Sequence, residues 1–247
     1  MKKKYYNNGC SFSYGTRIGE PHQFVWCNQI GEHFEHSVNE AVPAGSNHRA
    51  VRRSIEFLSQ VDDPTEWVAT LQLTNPERSE FVETNSGYWI GLCNENSVHD
   101  DQAFQNAGVD MANLHHSSPH ALAARMLTRT ETANMIETLM LVHAYKSFCE
   151  SRGVEYLITA MSSRCMPQRF LENPKYIEDN PFEPNLITIQ GLIDSLPQER
   201  FTHTISEIVQ PHVLIPGKDL HPNKKGHTIF ARYIHSVMKR MKWIGDQ

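Results

Sequence analysis

The sequence predicts an α/β fold in which a parallel sheet is wrapped by helices. Short β-branched and aromatic runs alternate with segments of helical periodicity, the pattern of strand–helix–strand units. Turn residues close each predicted strand. The chain's 247 residues, 39% of them hydrophobic, supply one sizeable core more readily than two. No internal repeat, low-complexity tract or linker interrupts it, so residues 1–247 are expected to form a single domain.

Residues 4–9 read as the first strand, made unusually polar by Asn7 and Asn8, and end at the run Gly9-Cys10-Ser11-Phe12-Ser13-Tyr14-Gly15. Phe24 to His33 follows as a short helix, and Ser37 to Val42 as a second strand leading into Pro43-Ala44-Gly45-Ser46-Asn47. His48 to Gln60 has helical spacing, with Val51, Ile55 and Leu58 on one face. Trp67 to Leu73 is the clearest interior strand of the first half and stops at Thr74-Asn75-Pro76, because proline cannot donate to the ladder.

Residues 76–128 read as long and irregular, and a stretch of that kind in a compact domain is usually a functional insertion or a lid. Thr130 to Arg152 is the strongest helix, with Met135, Leu139, Val142, Tyr145 and Cys149 on one stripe and Gly153 as the stop. Val154 to Thr159 is then a strand. Residues 162–206 are again loop-rich, with five prolines, and Val213-Leu214-Ile215 reads as a short strand. An amphipathic helix carrying Ile229, Phe230, Tyr233, Ile234, Val237, Met238 and Met241 closes the chain.

Charge and composition narrow the function classes. A net charge of −5 offers no electrostatic reason to expect nucleic acid as a partner. No apolar run is long enough to span a bilayer. Met1-Lys2-Lys3-Lys4 starts like a signal-peptide basic region, but Tyr5-Tyr6-Asn7-Asn8-Gly9 provides no apolar segment after it. A cytoplasmic or virion-associated location is therefore expected. The five cysteines are odd in number, widely spaced and without a C-x-x-C pair, which suits reduced thiols better than disulfides or a zinc site.

The candidates for chemistry lie at the two ends of the chain. A serine hydroxyl is a poor nucleophile until an imidazole takes its proton and a third group orients that imidazole. Ser11, in a small-residue turn after a strand, can expose its hydroxyl at the sheet edge where α/β folds place their sites, although serine also suits a helix N-cap. His221 precedes Pro222, which holds its backbone extended and out of the following helix, and Asn223 can cap that helix. Asp219 can accept the Nδ1 proton of His221, or be a solvated carboxylate. Gly45, Asn47 and Asn75 follow the second and third strands and reach the same edge if the strands are parallel. A glycine amide and an asparagine amide are suitable donors to an oxyanion, while a tight turn and helix capping are their structural alternatives. Cys10 is a rival nucleophile. Neighbouring side chains of an extended segment point to opposite faces, so Ser11 is favoured over it. His115, His116 and His120 lack the Asp/Cys spacing of a metal site, so no metal is expected.

These blocks resemble the SGNH subgroup of GDSL-type esterases and lipases, in a variant with Gly-Cys-Ser-Phe at the first block like those found in phages and bacteria. The resemblance spans nearly the whole chain, and the loops between the blocks match nothing recognisable. It implies a three-layer α/β/α sandwich, flavodoxin-like, with a central parallel sheet of about five strands. It implies Ser11 as nucleophile, with Cys10 where the family often has Asp, and His221 as base with Asp219 as its partner. The implied oxyanion donors are Ser11, Gly45 of the second block and Asn75 of the third. Leu73 stands where the third block usually has glycine, which leaves Asn47 as a rival to Asn75. Asp219 lies two residues before His221 where the family more often uses three, so a backbone carbonyl is expected to share its role.

The reaction so implied is acyl transfer from an ester to water, without a cofactor. The expected partner is a small-molecule or polysaccharide ester, O-acetyl groups on carbohydrate included. Arg164, Arg169, Tyr88 and Trp89 are candidates to line the pocket. Two other readings remain open at this point: a non-catalytic binding or structural protein on the same fold, and a lipase or thioesterase for longer acyl chains.

Overall fold

The computed structural model of the protein describes residues 3–16, 18–19, 22–82, 89–92, 131–168, 183–209, 214 and 221–245. The first half runs β1 (Lys4–Asn8), α1 (Ser11–Tyr14), α2 (Trp26–Gly31), β2 (Ser37–Asn39), α3 (Asn47–Gln60) and β3 (Trp67–Leu73). A hairpin of β4 (Ser79–Val82) and β5 (Trp89–Leu92) follows. The second half runs α4 (Glu131–Arg152), β6 (Glu155–Ala160), α5 (Glu183–Asp194), α6 (Ile205–Ile208) and α7 (Lys224–Arg240).

Four strands pair in parallel in the order β2-β1-β3-β6. Tyr6 lies between Val38 and Ala69, and Leu71 between Asn8 and Ile158. Where about five strands are expected, the described residues supply these four and one further parallel bridge, Phe201 to Ile158, on the outer side of β6. β1 is flanked by β2 on one side and β3 on the other, so the sheet winds outward in both directions from the β1/β3 crevice. Ligands of such sheets bind outside the carboxyl ends of the strands at that crevice.

The two-residue period of the strands sorts the core onto two faces. Tyr6, Ala69, Leu71, Leu73, Tyr156 and Ile158 pack against Val51 and Leu58 of α3 and against α4. Met135, Leu139, Val142, Tyr145 and Cys149, the stripe read from the sequence, are all buried there. Tyr5, Val68 and Leu157 face the other way, onto Trp26 and Ile30 of α2 and Phe230, Ile234 and Met238 of α7. Helices on both faces make the three layers.

Several elements differ from expectation. The helix expected over Phe24–His33 divides into a 3₁₀ turn at His22–Phe24 and α2, because Val25 between them is extended at ψ 135° and buried. β2 ends at Asn39, whose side-chain oxygen takes the Ala41 N–H and diverts the chain, although Glu40 still bonds the Asn7 carbonyl. The region read as wholly irregular holds the β4/β5 hairpin. Arg52 of α3 grips Glu80 in this hairpin through two hydrogen bonds of 2.8 and 3.1 Å. Within the loop-rich stretch 162–206, α5 carries Pro184 in its first turn, where a missing N–H costs nothing. Leu214 forms a lone antiparallel bridge to Pro222, and Val213 and Ile215 lie outside the described residues. Among the described residues no helix is long and apolar enough to cross a membrane.

Candidate active site

The carboxyl ends of β1, β2 and β3 open on one edge of the sheet, and the chain turns sharply after each. After β1 it passes Gly9, where a Cβ would lie 2.7 Å from the Gln72 amide oxygen, so only glycine allows β3 this close. Cys10 is extended, at φ −107° and ψ −159°, and its carbonyl accepts both the Ser13 and Tyr14 N–H groups at 2.9 Å. Ser11 is thereby the first residue of a single-turn helix that ends at Gly15, whose φ of +87° is left-handed. At that position its own N–H has no intrahelical partner, and no acceptor for it exists among the described residues.

From the far end of the chain, Pro222 follows His221, and the Asn223 side chain accepts the Gly226 N–H at 3.0 Å to cap α7. This brings His221 Nε2 to 2.7 Å from Ser11 Oγ, across 210 positions of sequence. The Phe12 ring tilts by 31° against the His221 imidazole, with centroids 4.5 Å apart. Behind them lies His227, buried in α7. Burial, with a smaller contribution from nearby His221, lowers its pKa to about 4. It is therefore neutral at pH 7 and accepts the Trp26 N–H on Nδ1 at 3.3 Å. Asp219, the expected partner of His221, lies outside the described residues.

The oxyanion candidates are treated differently by the fold. A Cβ on Gly45 would lie 2.8 Å from the Gly9 carbonyl, so this residue packs directly against the turn that carries Ser11. The Gly45 N–H already donates to the Val42 carbonyl at 3.2 Å. Asn47 is buried and fully engaged. Its Nδ2 donates to the Thr74 carbonyl (3.1 Å) and Thr138 Oγ1 (3.3 Å), and its Oδ1 accepts the Thr74 N–H (2.8 Å). Asn75, half-buried, uses its Oδ1 to accept the Glu77 N–H at 3.0 Å. Its Nδ2 has no acceptor among the described residues. Asn47 thus clamps the residue preceding Asn75, and of the two amides only that of Asn75 has an N–H group without a partner among the described residues.

Other residues at this edge went unread in the sequence. Gln72, fully buried on β3, takes the Cys10 N–H at 3.2 Å and the Ser13 hydroxyl at 3.1 Å on its Oε1. A glutamine one residue before the end of a mostly apolar strand was the available signal, since a buried amide must find partners. Buried Arg78 donates to Thr74 Oγ1 at 2.9 Å from beneath the Asn75 loop. Nothing in the local pattern marks Phe12 or His227.

The Cys10 thiol stays within 3.9 Å of the Ser11 hydroxyl but has a different main partner. The thiol lies 3.4 Å from the Gln72 amide, while the hydroxyl faces His221. Burial pushes the Cys165 thiol up to about 11 and Cys149 up to about 12, which keeps both protonated at neutral pH. Among the lining candidates, Arg164 is exposed in the turn after β6, on the same edge. The backbone of Trp89 lies in β5. Tyr88, Arg169, His115, His116 and His120 lie outside the described residues.

No family model matches the chain. No curated protein matches its sequence either. Solved structures do share its architecture. One is the psychrotrophic esterase EstA from Pseudoalteromonas sp., determined with monoethylphosphonate as inhibitor. It is 11% identical over 97% of this chain and 98% of its own, with a TM-score of 0.50. Another is TesA, 10% identical over 96% of this chain and 99% of its own, with a TM-score of 0.52. The protein shares its three-layer α/β fold with these two solved structures over nearly its whole length, and at these identities the likeness is one of fold.

Proposed function

We propose that the protein is a serine-dependent hydrolase of carboxylic esters that works through an acyl-enzyme on Ser11. The observation that carries this reading is the 2.7 Å approach of His221 Nε2 to Ser11 Oγ at the carboxyl edge of the sheet. With its proton on Nδ1, His221 accepts the Ser11 hydroxyl proton on Nε2 as Oγ attacks the ester carbonyl carbon. The carbonyl oxygen becomes an oxyanion, held by the Ser11 N–H at the start of α1 and by Asn75 Nδ2. Gly45 joins them by exchanging its long bond to Val42. Each such donor contributes a factor of about 10²–10³ in rate.

His221 then returns its proton to the leaving alkoxide, the acyl–alkoxy bond breaks, and the alcohol departs. A water deprotonated by His221 attacks the acyl-enzyme, and its collapse releases the acid and restores Ser11. Phe12 keeps the imidazole plane in place, and neutral His227 adds no competing charge beside it. Asp219 is the proposed acceptor for the Nδ1 proton. The esterase fold of the solved neighbours supports the reaction class. By the same analogy we propose short-acyl esters as substrates, O-acetyl groups on carbohydrate among them.

Two measurements test this reading. A fluorophosphonate is expected to modify the wild-type protein at Ser11, as mapped by mass spectrometry, and to leave Ser11→Ala unmodified. Hydrolysis of p-nitrophenyl acetate is expected to disappear in the same variant. Equal rates for wild type and Ser11→Ala would instead favour a binding protein on a hydrolase fold. A series of p-nitrophenyl esters of increasing acyl length is expected to peak at short chains; a peak at long chains would assign a lipase or thioesterase.

A further inference from the structure

The polar end of β1 and the glutamine at the end of β3 are odd in a buried sheet, and both lie directly beneath the Ser11 turn. The Gln72 side chain is wholly buried. Its Nε2 donates to the Leu73 carbonyl at 2.6 Å, which can only accept, so the amide is oriented with Oε1 toward the turn. There Oε1 meets three donors: the Cys10 N–H at 3.2 Å, the Cys10 thiol at 3.4 Å and the Ser13 hydroxyl at 3.1 Å. These groups bracket Ser11 on both sides. Gly9 leaves room for this contact, since a Cβ there would sit within 2.8 Å of two Gln72 atoms.

Cys10 makes no side-chain cap to α1, so the single-turn helix has no N-terminal tether of its own. Its other end is held separately, where Asn39 Nδ2 and the Cys27 thiol donate to the Ser13 carbonyl at 3.0 and 3.2 Å. The torsions between residues 10 and 11 aim both the Ser11 hydroxyl at His221 and the Ser11 N–H at the sheet edge. A tether on Cys10 and Ser13 therefore sets the geometry of attack and of oxyanion binding together.

We propose that Gln72 is a positioning residue for the nucleophile, acting through Cys10 and Ser13. The inference rests on Ser11 being that nucleophile. A misplacement of about 1 Å at a reacting group costs on the order of 10²-fold in rate, far more than it costs in binding.

The test compares wild type, Gln72→Met, Ser13→Ala and the double variant. Gln72→Met keeps the side-chain length and removes the shared acceptor. Its kcat on p-nitrophenyl acetate is expected to fall about 10- to 100-fold with KM within about twofold, and its fluorophosphonate labelling rate to fall by the same factor. Ser13→Ala is expected to lose less, and the double variant no more than Gln72→Met alone, because both act on one tether. A folded Gln72→Met with wild-type kcat overturns the inference, as does strict additivity of the two substitutions. If Gln72→Met does not fold, Ser13→Ala decides alone: an unchanged kcat and labelling rate overturn it. Failure of wild type to label at Ser11 strikes the hydrolase reading instead, so the two outcomes are separable.

Discussion

Replacing Asn75 and Asn47 by alanine, one at a time, separates two duties that their similar positions after the strands leave tied. Asn75 loses one half-buried bond to the Glu77 N–H and an Nδ2 group that no described residue uses. Its stability is expected to change by no more than about 1 kcal/mol, while kcat falls by about 10²–10³ through the missing oxyanion donor. Asn47 is different. Three hydrogen bonds of 2.8, 3.1 and 3.3 Å disappear inside the core, and the Thr74 N–H and carbonyl are left unpaired. At about 1 kcal/mol each, that is about 3 kcal/mol of stability. For a domain of this size it corresponds to a drop of about 6–12 °C in Tm.

Steady-state kinetics on p-nitrophenyl acetate and thermal unfolding by circular dichroism read the two effects on the same samples. Asn75→Ala should be stable and slow. Asn47→Ala should be unstable and, below its melting point, no more than about tenfold slower, since it acts only by loosening the Thr74–Asn75 turn. The opposite pattern, Asn75→Ala fully active with Asn47→Ala stable and dead, would transfer the oxyanion role to Asn47 and refute the reasoning.

Gly45→Ala places a Cβ 2.8 Å from the Gly9 carbonyl and 3.2 Å from Val42. A loss of about 1–3 kcal/mol in unfolding free energy is expected, together with a fall in kcat as the Ser11 turn is pushed aside; an unchanged kcat would show that the loop yields instead. His227, with its pKa lowered by burial to about 4, stays largely unprotonated in the folded protein between pH 6.5 and 5, whereas the unfolded chain takes up a proton there. Its contribution is complete above pH 6.5 and is lost as pH falls, by about 2 kcal/mol at pH 5. His227→Gln keeps an acceptor for the Trp26 N–H and should flatten that part of a stability-versus-pH curve; an identical slope in both proteins would remove His227 as its cause. Cys27, Cys149 and Cys165 are buried with raised pKa values. They are expected to resist a thiol reagent at pH 8 in the native protein and to react after unfolding, as read by mass spectrometry; native labelling at any of them would contradict the packing.

The layers of the sheet were legible because alternating apolar runs carry their own period. The stripe from Met135 to Cys149 needed no knowledge of what it packs on. The β4/β5 hairpin was not legible, since the Arg52–Glu80 pair that fastens it joins residues 28 positions apart. The α5 helix was masked by prolines, one of which sits where a helix tolerates it.

At the candidate site the same division holds. Ser11 and His221 stand in local patterns, a glycine-bounded turn after a strand and a histidine held extended by Pro222 ahead of an asparagine cap. Short-range sterics and capping act within a few residues, so the amino-acid order alone determined them, along with the parallel α/β class. Only the tertiary structure decided that Asn47 clamps Thr74, that Asn75 Nδ2 meets no acceptor among the described residues, that the Cys10 thiol lies against the Gln72 amide, and that Phe12 and His227 stand beside His221. Their partners lie tens to hundreds of positions away, and which of several chemically equivalent amides or imidazoles faces which neighbour is set by close packing across the sheet, where a shift of one residue in register reverses every side chain.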